Sequence, residues 1–115
     1  MTNFCVHSQV GVSVVDSGGA VRPCCKFSNT ADLPTIFDIE SLDGLHQTPP
    51  YHDIKRNLNH GQWPSGCQMC QLAEQGGAES RRVWSNKFYG QHNLFQPATI
   101  QDLEIALDYT CNMRC

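Results

Sequence analysis

Cysteine is the residue type in this sequence whose number and spacing point most directly to chemistry. The chain holds seven cysteines among 115 residues, an odd count in a sequence whose N-terminus has no signal peptide to send it to an oxidising compartment. One or two cysteines can act as small buried hydrophobic residues, but seven exceed that role. We therefore expect cytoplasmic thiols that bind metal or carry out redox chemistry.

Four of the cysteines have the spacing of a metal site, namely Cys5, Cys24, Cys67 and Cys70. The C-x-x-C motif at 67–70 lets two sulfur atoms converge on one centre. A predicted hairpin returns Cys24 towards Cys5, so the two pairs can meet across a small domain. Four thiolates suit either zinc or an iron–sulfur cluster, and the ligand type alone does not separate these two.

The other polar groups have weaker patterns. A redox dithiol at 67–70 would be expected to follow a strand, and here it does not. Cys25 adjoins Cys24, and since neighbours on a strand face opposite ways, we interpret Cys25 as a packed or spare thiol. Neither a Ser-His-Asp hydrolase nor a phosphate-binding loop has support. We expect the histidines on the surface, with His7 near Cys5 as an alternative ligand; they are His7, His46, His52, His60 and His92.

A β-hairpin is predicted at the N-terminal end. The β-branched segment 10–15 predicts a strand with Val10, Val12 and Val14 on one side. A glycine-containing turn follows at 16–19, and 20–25 predicts the returning strand, with Pro23 at its end or at a sheet edge.

Three short helices are predicted next. The first begins after Thr48, has prolines in its first turn, carries Tyr51, Ile54 and Leu58 on one face, and stops at Gly61. The second covers 67–75. The third covers 80–89, where Val83, Trp84 and Phe88 form an apolar face.

A final strand at 103–108 leads into Cys111 and Cys115. The strand has no visible partner beyond this domain, so we expect it to present an exposed edge. A C-x3-C pair directly after a strand is notable because the active-site loops of (β/α) barrels follow the C-terminal ends of strands. Since the sequence stops within this motif, we expect it to be a piece of a longer protein.

Composition excludes several functional classes. Eight Lys and Arg stand against eleven Asp and Glu, for a formal net charge of −3, so the chain lacks the basic footprint of a nucleic-acid-binding protein. No apolar run approaches the roughly 20 residues that cross a bilayer. We expect neither nucleic acid nor membrane as a partner.

The order of these motifs resembles the auxiliary-cluster module of radical S-adenosylmethionine (SAM) enzymes, the SPASM domain or its shortened form, the twitch domain. The segment from Val12 to Cys25 is similar to the opening of that module. The closing half is similar over Trp63-Pro64-Ser65-Gly66-Cys67, Cys70, Glu74, Gly77, Ser80 and Arg81. The stretch from Leu107 to Cys115 is similar to the start of the radical SAM C-x3-C-x2-C motif.

The resemblance implies two iron–sulfur centres. Cys5, Cys24, Cys67 and Cys70 would hold one auxiliary 4Fe–4S cluster, as in the one-cluster twitch form. Cys111 and Cys115 would supply two of three ligands to a second 4Fe–4S cluster, which in the family binds SAM and cleaves it reductively to a 5′-deoxyadenosyl radical. The implied partners are a peptide or protein substrate and an electron donor such as a flavodoxin or ferredoxin.

The fold class expected from residues and resemblance together is α+β. A small Cys-rich domain, with an N-terminal β-hairpin and short helices around a metal cluster, covers 1–90. A linker follows at 91–99, and 100–115 begins a truncated (β/α) radical SAM barrel. A complete barrel needs about 250 residues, so we expect these residues alone to be catalytically inactive. The alternative is a four-Cys zinc module with a structural or interaction role.

Overall fold

The structure is a computed structural model that describes residues 2–16, 18–97 and 99–106. The predictions for Cys111 and Cys115 lie outside the described residues. No helix in the described ranges is long and apolar enough to span a membrane. The helices are α1 (His7–Val10), α2 (Pro49–Asn59), α3 (Gln68–Gln75) and α4 (Arg81–Gln91), and the strands are β1 (Gly11–Val14) and β2 (Asp102–Ile105).

The sheet consists of two parallel strands from opposite ends of the chain. β1 pairs with β2 in a register that places Gly11 opposite Asp102 and Val14 opposite Ile105. The C-terminal strand therefore has its pairing partner within the described domain. All four β1 residues are buried, because β1 is covered on both faces, so its side chains do not divide into a buried and an exposed set.

The predicted N-terminal hairpin is reduced to a single bridge. Ser13 and Arg22 exchange both backbone hydrogen bonds, at 2.8 and 2.9 Å, but no regular second strand follows. The pairing does not continue to Gly11, because its N–H donates to the His7 carbonyl and its carbonyl accepts from His46. Gly19 supplies the left-handed backbone of the turn, with a φ of 75°.

Helix α2 agrees closely with its prediction. It begins at Pro49 after the N-cap residue Thr48, and its Tyr51, Ile54 and Leu58 side chains are buried. Thr48 occupies the cap position without capping, since its hydroxyl donates instead to the Leu45 carbonyl at 2.6 Å.

Helix α2 bridges two apolar clusters. The first contains Tyr51 with Val12, Val14, Val21 and Leu45, and the Tyr51 hydroxyl donates to the Val21 carbonyl at 2.7 Å. The second is formed by Phe27, Ile54 and Leu58, and half-buried side chains pack against it. These include Cys5, Cys24, Trp63 and Cys67.

Helix α4 turns a polar face inward. Ser80 caps it by accepting from the Val83 N–H at 3.2 Å, and the buried helical residue is Ser85. Trp84 and Phe88, on the apolar face that the sequence predicts, stack on each other with centroids 5.5 Å apart and remain 59% and 40% exposed. The apolar face of α4 is therefore solvent-accessible in this structure.

Two histidines are buried, which contradicts their expected place on the surface. His46 is 4% exposed, its Nε2 donates to the Gly11 carbonyl at 2.9 Å, and its ring meets Tyr51 edge-on. His7 is 3% exposed. His52, His60 and His92 are exposed, as predicted.

We expect His46 to make folding stability depend on pH. Burial lowers its pKa, partly opposed by the Gly11 hydrogen bond, with Lys55 lowering it further. The unfolded chain therefore takes up a proton at His46 more readily than the folded chain does. The contribution of neutral His46 to the free energy of unfolding is complete above about pH 6.5 and is lost as the pH falls through the lowered pKa. Urea unfolding between pH 7.5 and 5 should show this loss, which His46→Gln should reduce.

The exposed His52 provides the matched control for this measurement. His52→Gln should leave the acid limb of the stability profile as steep as in the wild-type chain. Equal acid limbs in the wild type and His46→Gln would contradict the assignment to His46.

Candidate metal centre

Four cysteines from three separate segments line one small cavity. They are Cys5, Cys24, Cys67 and Cys70, the same four that the spacing grouped. The cavity wall is completed by Phe27, Leu58, Trp63 and Gly66, with Lys26 and Arg82 as its basic residues. All four cysteines are free thiols. Cys25 does not line the cavity, which supports its interpretation as a packed or spare thiol.

The backbone around Cys5 is held by helix α4. The Asn86 side chain accepts from the Val6 N–H at 2.8 Å and donates to the Phe4 carbonyl at 2.7 Å. Arg82 also donates to the Phe4 carbonyl, at 2.8 Å. Both neighbours of Cys5 are thus fixed to one helix, and this fixes the direction in which the Cys5 side chain leaves the backbone.

Cys24 is held by a turn between the two clusters. The Phe27 N–H donates to the Cys24 carbonyl at 3.2 Å, which folds the chain so that the Phe27 ring covers the cavity beside Cys24. Pro23, directly before it, is buried and packs against the backbone of Gly11. The position of Cys24 therefore depends on close backbone contact with β1.

The C-x-x-C motif occupies the start of a helix. A 3₁₀ turn at Ser65–Cys67 leads into α3, with Cys67 at the N-cap position and Cys70 in the first turn. The Cys67 N–H donates to the Pro64 carbonyl at 2.9 Å. Gly66 lets this turn lie against Phe27, because a Cβ at Gly66 would overlap the Phe27 ring.

Burial disfavours the thiolate forms of Cys5, Cys24 and Cys67 in the absence of a cation. Burial raises the pKa of Cys24 to about 12, with Cys5 adding to the rise. Burial also raises the pKa of Cys67, with added repulsion from Cys24, Cys5 and Cys70, and it raises that of Cys5. A bound metal cation would offset these effects and favour the thiolate forms of these three cysteines.

Four cysteine thiols are a donor set that suits either zinc or an iron–sulfur cluster. No group of three or more His, Cys, Asp or Glu side chains within the described residues is placed to hold a metal ion. Four sulfurs around one zinc must lie about 3.8 Å apart, as the Zn–S length of about 2.3 Å requires. A 4Fe–4S cluster instead takes each cysteine at a different iron, so its ligands surround a larger volume.

An ion pair beside the cavity was not predicted from the sequence. Arg82 donates from Nε to Glu74 Oε2 at 2.9 Å and from Nη2 to Glu74 Oε1 at 2.5 Å. Ser80 donates to the same carboxylate at 2.6 Å. Arg82 also lies over the Trp63 ring, 5.6 Å from its centroid. The Arg81 of the family resemblance makes none of these contacts, and the eight-residue spacing from Glu74 to Arg82 across a turn has no periodic signature.

His7 connects the cysteine segment to α4 and β2. Its Nε2 lies 2.8 Å from Ser85 Oγ, and its Nδ1 lies 3.1 Å from Asp102 Oδ2 without hydrogen-bond alignment. His7 does not line the cavity, so the structure gives its role as an alternative ligand no support. Ser85, His7 and Asp102 lie next to one another as the serine, histidine and aspartate of a hydrolase triad do. However, Ser85 is 4% exposed, so its hydroxyl is closed off from solvent. We interpret the group as a structural link.

Comparison with protein-family models, curated proteins and solved structures finds no match to this chain. The interpretation of the site therefore depends on its own geometry and chemistry.

Proposed function

We propose that this chain binds one 4Fe–4S cluster through Cys5, Cys24, Cys67 and Cys70. The observation that carries the proposal is that these cysteines, from three segments of the chain, line the same cavity. Cys25 adjoins one of them and stays outside. Thiolates are the ligands that such clusters require.

The walls of the cavity suit a cluster that must be protected from water. Phe27 and Leu58 belong to the second apolar cluster, and Trp63 packs against it. These side chains would keep water from the sulfur atoms, and solvent exposure is one of the factors that set a cluster's potential. Because all four cysteines would be ligands, no iron is left open for substrate, and electron transfer is the role this arrangement favours.

We further propose that the chain belongs to a radical SAM enzyme, with the cluster domain as its twitch-like module. Support comes from the order of the motifs in the sequence and from β2, which precedes Cys111 and Cys115. Those two cysteines would hold part of a second 4Fe–4S cluster together with SAM. When bound, that cluster supplies the electron for SAM cleavage. A peptide or protein would be the substrate, a flavodoxin or ferredoxin the electron donor, and the cytoplasm the location.

Metal and sulfide analysis of the anaerobically prepared chain tests the proposed cluster. The protein is incubated with ferrous iron and sulfide, or with zinc alone, and then desalted. We expect a brown protein with about four iron and four sulfide per chain, the composition of one 4Fe–4S cluster. A colourless protein with one tightly held zinc and no sulfide would replace the proposal with the structural zinc module.

A further inference from the structure

Arg82 is the one buried charged residue among the described residues that line the cysteine cavity. Two of those residues are charged, and both are basic: Arg82 and Lys26. The Arg82 side chain is 13% exposed, whereas Lys26 is exposed to solvent. Since solvent screens an exposed charge far more than a buried one, Arg82 dominates the field in the cavity.

Glu74 lies behind Arg82 and not in the cavity wall. Its carboxylate is 20% exposed and makes the two-pronged ion pair described above. The Arg82 pair lowers the pKa of Glu74, and Glu74 raises the pKa of Arg82, so both groups stay ionised. The cavity therefore faces a cation whose counter-charge is one side chain further away.

The field of Arg82 reaches the thiols. Arg82 lines the same cavity as the four cysteines, and its Nη1 donates to the carbonyl of Phe4, the residue before Cys5, at 2.8 Å. Its positive charge would therefore stabilise any added negative charge at a centre bound to these sulfurs.

We propose that Arg82 raises the reduction potential of the cluster held by Cys5, Cys24, Cys67 and Cys70, with Glu74 as the counter-charge that moderates it. The inference rests on the proposed cluster. Reduction transfers one electron from a low-potential donor, such as dithionite, to the cluster, which gains one negative charge while no bond forms or breaks. A nearby cation stabilises that charge, and a nearby anion opposes it.

The test is the reduction potential of the loaded cluster, measured by anaerobic dithionite titration with redox mediators. Arg82→Gln should lower the potential by about 59 mV, a roughly tenfold loss in the one-electron equilibrium constant. Glu74→Gln should raise it, by a several-fold gain in the same constant. Both substitutions break the same ion pair, so a merely structural role would move the two potentials in the same direction.

Two further variants control for charge and for folding. Arg82→Lys keeps the cation and should hold the potential near that of the wild type, although it loses the two-pronged contact. Lys26→Gln removes an exposed charge and should shift the potential much less than Arg82→Gln. If Arg82→Gln fails to retain a cluster, the reduction potentials of Glu74→Gln, expected to be raised, and of Arg82→Lys, expected to be unchanged, still test the role of the Arg82 charge.

The outcomes separate this inference from the proposed function. A wild-type chain that takes up no iron and sulfide overturns both. A loaded Glu74→Gln whose potential is unchanged or lower than the wild type overturns the role of Arg82 and leaves the cluster standing.

Discussion

Replacing Cys67 with alanine should abolish cluster binding. Cys67 lines the cavity with three other cysteines, and its removal leaves three thiols for a cluster that takes four cysteine ligands. We expect iron and sulfide after anaerobic reconstitution to fall from about four of each per chain to below about one. Since metal binding contributes to folding, the thermal unfolding midpoint of the reconstituted sample should fall as well.

Cys25 provides the matched control for this substitution. It is also a half-buried free thiol, and it adjoins a proposed ligand, but it does not line the cavity. Cys25→Ala should therefore retain the full iron and sulfide content. Equal losses in Cys25→Ala and Cys67→Ala, or full loading of both, would contradict the four-cysteine assignment.

Substituting Gly11 with alanine should destabilise the fold by about 3 kcal/mol, at the upper end of the usual cost of overpacking. The backbone of Gly11 is extended, with φ −96° and ψ 142°, so alanine can adopt its conformation. The cost is steric: a Cβ would overlap the Pro23 carbonyl oxygen and approach the His7 carbonyl oxygen to 2.8 Å. Pro23 precedes Cys24, and His7 follows Cys5 by two residues, so the strain should also weaken cluster binding. Urea unfolding of the apo chain measures the first effect and iron content the second.

Gly90 is the opposite case in the same chain. It lies in α4 with nothing within 4 Å of a built Cβ. Because alanine has the higher helix propensity, Gly90→Ala should stabilise the fold by about 0.5 kcal/mol. A Gly11→Ala chain as stable as Gly90→Ala would show that the contact between β1 and the Cys24 turn is looser than described.

Helix α2 shows what local sequence could predict. The prolines after Thr48 start the helix, and Tyr51, Ile54 and Leu58 recur at the spacing of one buried face. Both signals act over a few residues. The third helix was predicted to begin at Ser80, and Ser80 is the residue that caps α4.

The pairing of β1 with β2 was not predictable in the same way. The partners lie about ninety residues apart, as Val12 and Leu103 do, and nothing in either segment specifies the other. The nearby segment at 20–25 is the obvious partner, but it pairs with β1 through the single bridge of Ser13 and Arg22. Tertiary contacts also decide which face of α4 is buried. The face with Ser85 and Asn86 packs inward, in place of the predicted apolar face, because these two residues form hydrogen bonds with His7 and Val6.

The candidate site likewise has one part that local sequence predicts and another that depends on tertiary contacts. The grouping of the four cysteines was predicted from residue type and spacing, because the C-x-x-C spacing is typical of metal ligands. The ion pair of Arg82 with Glu74 and the burial of His7 were not predicted, because charged and imidazole side chains are common on surfaces and only the fold shows which are buried. The predictions for Cys111, Cys115 and the barrel remain untested by the described residues.

Native mass spectrometry of the intact chain, prepared and sprayed without oxygen, tests the central claim most directly. The wild-type chain should carry the mass of one 4Fe–4S cluster, and this increment should vanish in Cys67→Ala and persist in Cys25→Ala. A chain that carries one zinc ion instead, or that keeps its cluster without Cys67, would contradict the claim.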